Sequence, residues 1–132
     1  MSLQTLQPPG WARPRGYANG IAATGRFVFV AGQIGWNADG VFESDDLVAQ
    51  TAQALRNIVA VLAEAGARPE HIARMTWYVM DRAEYLRRGA EIGAVYREVI
   101  GRHYPAMSAF EVSALIEERA RVEIEVTAVI PE

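Results

Sequence analysis

The sequence contains no cysteine, and only two of its 132 residues are histidine. Without thiols, the chain cannot form a disulfide, a thiolate zinc site, an iron–sulfur cluster or a cysteine nucleophile. His71 and His103 lie far apart in the sequence, so they do not form a local metal-binding motif. The composition therefore excludes thiol chemistry and argues against a histidine-rich metal centre.

A strong charge and a long apolar run are also missing. Thirteen Lys and Arg residues against sixteen Asp and Glu residues give a net charge of −3, whereas nucleic-acid-binding domains usually carry a basic surface. No uninterrupted apolar run reaches the roughly 18 residues of a membrane-spanning helix. Residues 1–10 lack the basic start and apolar core of an export signal. We therefore expect a soluble cytoplasmic protein that binds neither nucleic acid nor a membrane.

The chain does contain enough apolar sequence for a folded core. Hydrophobic residues make up 51% of the 132 positions, and this length is typical of one domain, so we expect a single domain over residues 1–132. Hydrophobic periodicity predicts the element order β-β-α-β-α-β-β. The predicted elements are strands at 17–24 and 27–31, a helix from 47 to 65, a strand at 72–80, a helix from 82 to 101, and strands at 108–115 and 122–128.

The two predicted helices have recognisable ends. Residues 44–46 (Ser-Asp-Asp) offer capping oxygens at the start of the first helix, and Gly66 supplies its C-terminal stop. Asp81, with Glu84 three residues later, resembles a capping box at the start of the second helix. Because right-handed crossovers in one small sheet place both helices on the same face, the opposite face of the sheet is expected to be open.

The last predicted strand shows what this open face carries. Val122, Ile124 and Val126 alternate with Glu123 and Glu125, so one side of the strand is apolar and the other is charged. A charged residue at such a position is most often simply solvated. If a neighbouring subunit covered the open face, the Glu123 carboxylate would be partly desolvated and could orient water as a general base. Both interpretations stay open from the residues alone, and the open face predicts an oligomer.

Six short motifs occur in order along nearly the whole chain, from about residue 17 to residue 130. They are Tyr17; Val30-Ala31-Gly32-Gln33-Ile34; Gln50-Thr51-x-Gln53-x-Leu55-x-Asn57; Ala65-Gly66; Tyr104-Pro105-Ala106; and Val122-Glu123-Ile124-Glu125. Single pieces of this kind are common in proteins. The ordered set resembles the RidA/YjgF family of reactive-intermediate deaminases.

The resemblance implies a chorismate-mutase-like α+β fold, in which a mixed sheet carries two helices on one face. It also implies a homotrimer with clefts between adjacent subunits. The implied activity is hydrolysis of small enamine or imine metabolites, such as 2-iminopropionate, to a keto acid and ammonia, with no metal or organic cofactor. The expected partners are therefore a small-molecule metabolite and two further copies of the chain.

The resemblance also implies roles for particular residues. Glu123 corresponds to a carboxylate of the family that positions the attacking water. Tyr17 corresponds to a tyrosine of the pocket, and the backbone around Ala31 and Gly32 borders it. A carboxylate can hold water against an imine carbon without help from a metal.

One position departs from the family's pattern. Family members usually place a carboxylate-binding arginine directly after Pro-Ala, whereas Pro105-Ala106 is followed here by Met107. Methionine is apolar and cannot hold a carboxylate. We therefore expect Met107, Ser108 and Ala109 to line a less polar substrate cleft.

A second polar group of the family is missing as well. The asparagine that family deaminases often carry on the second helix is replaced by Ala90 or Gly93, depending on the alignment of that helix. Arg15 or Arg121 is the candidate for supplying the missing positive charge from another position.

These observations lead to two hypotheses. The first is a divergent RidA-family hydrolase that acts on a small enamine, imine or related metabolite in clefts between subunits, with Glu123 positioning water. The alternative is a non-catalytic trimer of the same fold that binds a small ligand. Ribonuclease activity, a label sometimes attached to the family, is disfavoured by the acidic charge of the chain.

Overall fold

Nine helices and strands form a mixed α+β fold in the computed structural model, which describes residues 3–132. The strands are β1 (Gln4–Leu6), β2 (Gly20–Ala22), β3 (Arg26–Ile34), β4 (Ile72–Val79), β5 (Ala106–Glu111) and β6 (Val122–Ile130). The helices are α1 (Leu47–Glu64), α2 (Arg82–Arg87) and α3 (Gly89–Val99), and a short 3₁₀ turn at Pro69–His71 precedes β4.

The main sheet has four strands in the order β3-β6-β4-β5, so the last strand of the chain lies inside the sheet. Strand β6 pairs antiparallel with both β3 and β4. Strand β5 runs parallel to β4, which it reaches after the crossover through α2 and α3. Strands β1 and β2 pair with each other in a separate two-stranded sheet.

The core lies between one face of the main sheet and the helices α1 and α3. Leu55, Ile58 and Leu62 of α1 and Ile92 and Tyr96 of α3 belong to one buried cluster with the inward-facing residues of the strands. These α1 and α3 residues recur at helical spacing, which places them on one side of each helix. The other face of the sheet carries no helix of residues 3–132.

The side chains of strand β6 alternate between these two faces, as its sequence predicts. Its even-numbered residues from Val122 to Ala128 are buried, whereas Glu123 is half-buried and Glu125 is exposed. Because successive side chains in a strand point to opposite faces, the two glutamates lie on the face opposite the helices. We call this face the open face.

The predicted helix ends are confirmed where a capping residue sets them. The Asp46 carboxylate accepts a hydrogen bond from the backbone N–H of Ala49 at 3.0 Å. Asp81 accepts one from the N–H of Glu84 at the same distance. After α1, Gly66 adopts a φ of +74°, the left-handed conformation that ends helices and that glycine reaches without steric cost.

The prediction of one long second helix is wrong, and the fold has three helices instead of two. The backbone leaves the helical conformation at Arg88 (φ −99°, ψ 20°), so α2 ends there and α3 begins with Gly89. Glycine is a weak helix former, which makes this an easy place to break. The Arg88 side chain holds the junction together through ion pairs with Asp46, Glu84 and Glu91.

Several strand predictions also need correction. Strand β1 was not predicted, and the strand expected at 17–24 is shortened to β2, which pairs with β1 outside the main sheet. The strand expected at 108–115 lies at Ala106–Glu111, because its parallel pairing with Arg74–Val79 sets its ends. Strand β3 does not stop at Gly32 but continues to Ile34 through a bulge.

Replacing Arg88 with methionine should lower the melting temperature at neutral pH. A hydrogen bond from Arg88 lowers the pKa of the Asp46 carboxyl below its ordinary value of 3.8, and another lowers the pKa of Glu91. A carboxyl whose pKa is lowered in the folded state stabilises that state above its unfolded pKa, and this stabilisation is lost as the pH falls through the folded pKa. The difference in melting temperature between wild type and variant should therefore become smaller below about pH 4.

Thermal unfolding followed by circular dichroism between pH 7 and acid measures this difference. Arg87→Met is the matched control, because Arg87 is the preceding residue, is exposed and forms no ion pair within residues 3–132. If the difference in melting temperature between wild type and Arg88→Met stayed constant across the acid range, the ion pairs of Arg88 would not be its cause.

Candidate functional site

The structure separates the candidate site residues into two groups. Ala31, Gly32 and Glu123 lie together where β3 pairs with β6. Tyr17, Met107, Ser108 and Ala109 line one cavity beside β5, which we call the apolar pocket. Met107 packs against the buried core on the helix side of the sheet, whereas Glu123 projects from the open face. Within one chain, the two groups therefore do not share a cavity.

The first group is built around a β-bulge in β3. Val30 pairs with Val126, and pairing resumes with Gln33 opposite Ile124, so two residues of β3 have no pairing partner of their own. These unpaired residues are Ala31 and Gly32. Bulges of this kind re-aim the local backbone and often lie beside functional sites.

The bulge leaves a space that the Glu123 side chain fills. A Cβ atom at position 32 would lie 2.0 Å from Oε2 of Glu123 and 2.7 Å from its Cδ. No side chain larger than hydrogen is compatible with this arrangement, so Gly32 and Glu123 fit each other. Glu123 forms no ion pair within the described part of the chain, which leaves its carboxylate available to a water or a ligand.

The neighbouring carboxylate on the open face, that of Glu125, has a hydrogen-bond partner. The Tyr78 hydroxyl donates a hydrogen bond to Oε1 of Glu125 at 2.8 Å, and this bond raises the pKa of Tyr78. The Tyr78 ring stacks on Phe110 with 6.3 Å between ring centroids. Phe110 is 53% exposed and Phe29, on β3, is 74% exposed. The open face therefore combines carboxylates with uncovered aromatic surface.

The apolar pocket is a cavity of about 570 Å³ between β5, the helices α2 and α3, and the segment before β2. One wall is aromatic and is formed by Trp77, Tyr85, Tyr96 and Tyr104. The ring centroids of Trp77 lie 6.3 Å from Tyr85 and 6.4 Å from Tyr96, and Tyr96 stacks on Tyr104 at 5.5 Å. Together with Met107, these rings form an apolar and polarisable surface.

The Tyr85 and Tyr96 hydroxyl groups of this wall are not suited to act as bases. Burial raises the pKa of both Tyr85 and Tyr96, so both phenols are protonated at neutral pH. The Tyr96 hydroxyl donates a hydrogen bond to the carbonyl oxygen of His103. The indole nitrogen of Trp77 is buried and has no acceptor within residues 3–132.

Two arginines, Arg15 and Arg97, complete the pocket lining, and both are exposed. Among residues 3–132, no Asp, Glu or His lines this pocket, and neither arginine forms an ion pair. The Arg97 guanidinium lies above Gly93, one helical turn earlier, with Nη1 3.3 Å from the place that a Cβ of residue 93 would occupy. The pocket therefore presents positive charge with no negative charge to neutralise it.

The two arginines proposed from the sequence have different positions. Arg15 lines the apolar pocket, whereas Arg121 does not, and the backbone N–H of Arg121 donates instead to Oε1 of Gln50 at 2.8 Å. Sequence reasoning did not find Arg97. The available signal was its spacing of four residues from Gly93, which places the two residues on the same face of a helix.

Polar motif residues of α1 have a structural role. The Asn57 side-chain amide donates to the carbonyl oxygens of Ile34 and Trp36 at 3.1 and 2.8 Å, and Gln53 donates to Oδ1 of Asn57 at 2.8 Å. These bonds hold the loop that leaves β3, just after the bulge beside Glu123. They explain why amide side chains occur at these positions of α1.

Residues 3–132 contain no group of three or more His, Asp or Glu side chains placed to hold a metal ion. No helix among them is both long enough and apolar enough to cross a bilayer.

Comparison with known proteins gives a consistent result. A family model described as Endoribonuclease L-PSP matches residues 12–130. A RutC family protein of Synechocystis is 34% identical over 131 residues, which cover 98% of this chain and 95% of the relative. Human 2-iminobutanoate/2-iminopropanoate deaminase is 26% identical over 128 residues, with coverage of 96% and 88%. The crystal structure of a conserved Rid family protein from Yersinia pestis superposes with a TM-score of 0.84 at 34% identity, over 98% of this chain and 100% of that one.

Proposed function

The chain belongs to the RidA/YjgF family, and we propose that it is a divergent hydrolase of this family that acts on a small enamine or imine. The reaction takes place in clefts between the subunits of a homotrimer, and Glu123 positions the water. The observation that carries the proposal is the division of the site into two halves. Within residues 3–132 of one chain, the apolar pocket lacks a carboxylate, and Glu123 lies outside this pocket.

The chemistry needs only groups that the chain contains. Water adds to the imine carbon, and the Glu123 carboxylate accepts a proton from that water as the new C–O bond forms. The carboxyl group returns this proton to the nitrogen, which gives a carbinolamine. The hydroxyl proton then moves to the nitrogen through the carboxylate, the C=O bond forms as the C–N bond breaks, and ammonia leaves with the 2-oxo product. An enamine first takes a proton at its carbon and loses one from its nitrogen to become the imine. Fixing water and substrate together supplies much of the acceleration.

The apolar pocket by itself can bind a substrate but cannot activate water. Its lining within residues 3–132 has cationic, aromatic and apolar groups and no carboxylate. Glu123, in turn, stands beside Gly32 on the open face with no cation paired to it. Contact between the open face of one chain and the pocket edge of a neighbour would join the two halves. The uncovered Phe29 and Phe110 rings support such a contact, because exposed apolar patches commonly mark interfaces.

The second candidate is a non-catalytic protein that binds a small ligand. It is favoured by the absence of an acid or base from the apolar pocket among the described residues. The human relative, which is named as an imine deaminase, supports the hydrolase instead. The acidic net charge of −3 gives no support to a nucleic-acid substrate, in spite of the description of the matching family model.

A mixing experiment tests whether the site is shared between chains. Glu123→Gln removes the base, and Gly93→Phe fills the apolar pocket from a helix position, so each variant alone should be inactive. When the two are unfolded together and refolded, random assembly of trimers should restore about one quarter of the wild-type rate, because one cleft in four combines two intact halves. The rate is measured as 2-oxo acid formation from imino acids generated by an amino-acid oxidase, with spontaneous hydrolysis subtracted.

The control is a pool of the two variants refolded separately, which should stay inactive, and light scattering confirms the trimer. A refolded mixture without activity, beside an active wild type, would place the whole reaction within one chain and overturn the shared site. A wild type that binds 2-oxo acids but hydrolyses none of the imines would establish the second candidate.

A further inference from the structure

We propose that the apolar pocket selects aromatic 2-imino acids, and that Arg97, with Arg15, binds their carboxylate in place of the arginine that Met107 replaces. The imino group of the ligand rests on the proposed function, because only the hydrolase would act on an imine. The recognition of an aromatic carboxylate stands on the geometry of the pocket alone.

The shape of the pocket suits a ring better than a methyl group. Trp77, Tyr85, Tyr96 and Tyr104 form a continuous series of ring contacts, with centroid distances from 5.5 to 6.4 Å. Aromatic groups gain from offset or edge contacts at such distances as well as from burial. A methyl-sized substituent would leave most of this surface, in a cavity of about 570 Å³, without a contact.

Met107 contributes to the same preference. A methionine on the pocket wall adapts to the shape of its neighbour and makes favourable contacts with ring edges. An arginine at this position would place a charge against the aromatic wall. The Met107 side of the pocket is therefore suited to the apolar end of a ligand, so the charged end must be bound elsewhere.

Two cationic side chains of the pocket lining match the charged end of the ligand. Arg15 and Arg97 are the cationic groups of the lining, and both are free of ion pairs within residues 3–132. Gly93 leaves room for the Arg97 guanidinium, since a Cβ at that position would already approach Nη1 to 3.3 Å. A guanidinium can hold a carboxylate through two parallel hydrogen bonds. A ligand that carries both a ring and a carboxylate would contact the aromatic wall and the arginines of the same lining.

Calorimetric titration with stable 2-oxo acids tests this recognition without requiring turnover. Phenylpyruvate should bind the wild type at least about 10-fold more tightly than pyruvate, because only the larger ligand fills the aromatic wall. Arg97→Met should weaken phenylpyruvate binding by about 10-fold, and Arg97→Lys should restore part of the loss. Arg87→Met, an exposed change outside the pocket lining, is the matched control and should change nothing.

An uncharged analogue identifies the contact with Arg97. Phenylacetone has the ring and carbonyl of phenylpyruvate but no carboxylate, so it should bind wild type and Arg97→Met equally. This double comparison isolates the carboxylate–arginine interaction from any general change in the pocket. Arg15→Met should also weaken phenylpyruvate binding, and an unchanged affinity would overturn the role of Arg15.

The outcomes separate this inference from the proposed function. Arg97-dependent binding of phenylpyruvate without imine hydrolysis would support the recognition and reject the hydrolase. Equal affinity for pyruvate and phenylpyruvate, or an Arg97→Met variant that binds phenylpyruvate as tightly as wild type, would overturn the inference even if imines are hydrolysed. Phenylacetone binding as tightly as phenylpyruvate would overturn the role of Arg97.

Discussion

Changing Gly32 to alanine should lower the rate of imine hydrolysis by about 100-fold while the fold stays intact. The new methyl group would occupy the position of the Glu123 carboxylate, since Oε2 lies 2.0 Å and Cγ 2.9 Å from that Cβ position. The atoms that clash belong to the side chain of Glu123 and not to the backbone, so the glutamate can turn away. A carboxylate moved by about 1 Å no longer holds water in line with the imine carbon.

Steady-state kinetics with a double-mutant comparison measures this effect. If Gly32→Ala acts only through Glu123, adding it to Glu123→Gln should cause no further loss of rate, because the base is already absent. The melting temperature of Gly32→Ala should stay close to that of the wild type. A variant that keeps the full rate would show that Glu123 does not act from this position. Additive losses would show that Gly32 has a role of its own.

Replacing Gln50 with leucine should lower the free energy of unfolding by about 3 kcal/mol. Gln50 is 1% exposed, and its Nε2 donates to the carbonyl oxygens of Ser44 and Arg119, each at 3.0 Å. Its Oε1 accepts from the backbone N–H of Arg121 at 2.8 Å. Leucine keeps the volume but leaves one part-buried donor and two part-buried acceptors without this partner, and the loss of each hydrogen bond costs about 1 kcal/mol.

Urea unfolding at one fixed protein concentration measures this loss, because the stability of an oligomer depends on concentration. Gln53→Leu on the same helix is the matched control. Gln53 makes one side-chain bond, to Asn57, so its replacement should cost about 1 kcal/mol. If Gln50→Leu were no more destabilising than Gln53→Leu, the three hydrogen bonds of Gln50 would contribute little to holding the segment before β6.

The Gln50 contacts also show why the polar motif on α1 accompanies the candidate site. Gln50 joins α1 to the turn before β6, the strand that carries Glu123. Asn57 joins the same helix to the loop after the bulge that contains Gly32. The helix therefore holds both strands that form the Glu123 group, and its amides contribute to the site by positioning backbone.

Several features of this protein could be predicted from the sequence because they depend on neighbouring residues. Asp46 and Asp81 cap helices through N–H groups three residues away, and Gly66 ends α1 by its own conformation. The alternation around Glu123 follows from the two-residue repeat of a strand. The family was also accessible from the sequence, because its motifs are ordered along nearly the whole chain.

Other features depend on contacts between distant segments, so they follow only from the three-dimensional arrangement of the chain. The sheet order puts Glu123 and Met107 on opposite faces, which no local pattern encodes. Arg97, and not Arg121, joins Arg15 at the apolar pocket, because α3 lines this pocket, whereas Arg121 lies in the turn before β6 and its backbone N–H donates to Gln50. Which chemical groups are present follows directly from the residues of the chain, and local geometry depends only on near neighbours. Which of these groups meet was decided by strand register and helix packing, whose energies come from residues far apart in sequence.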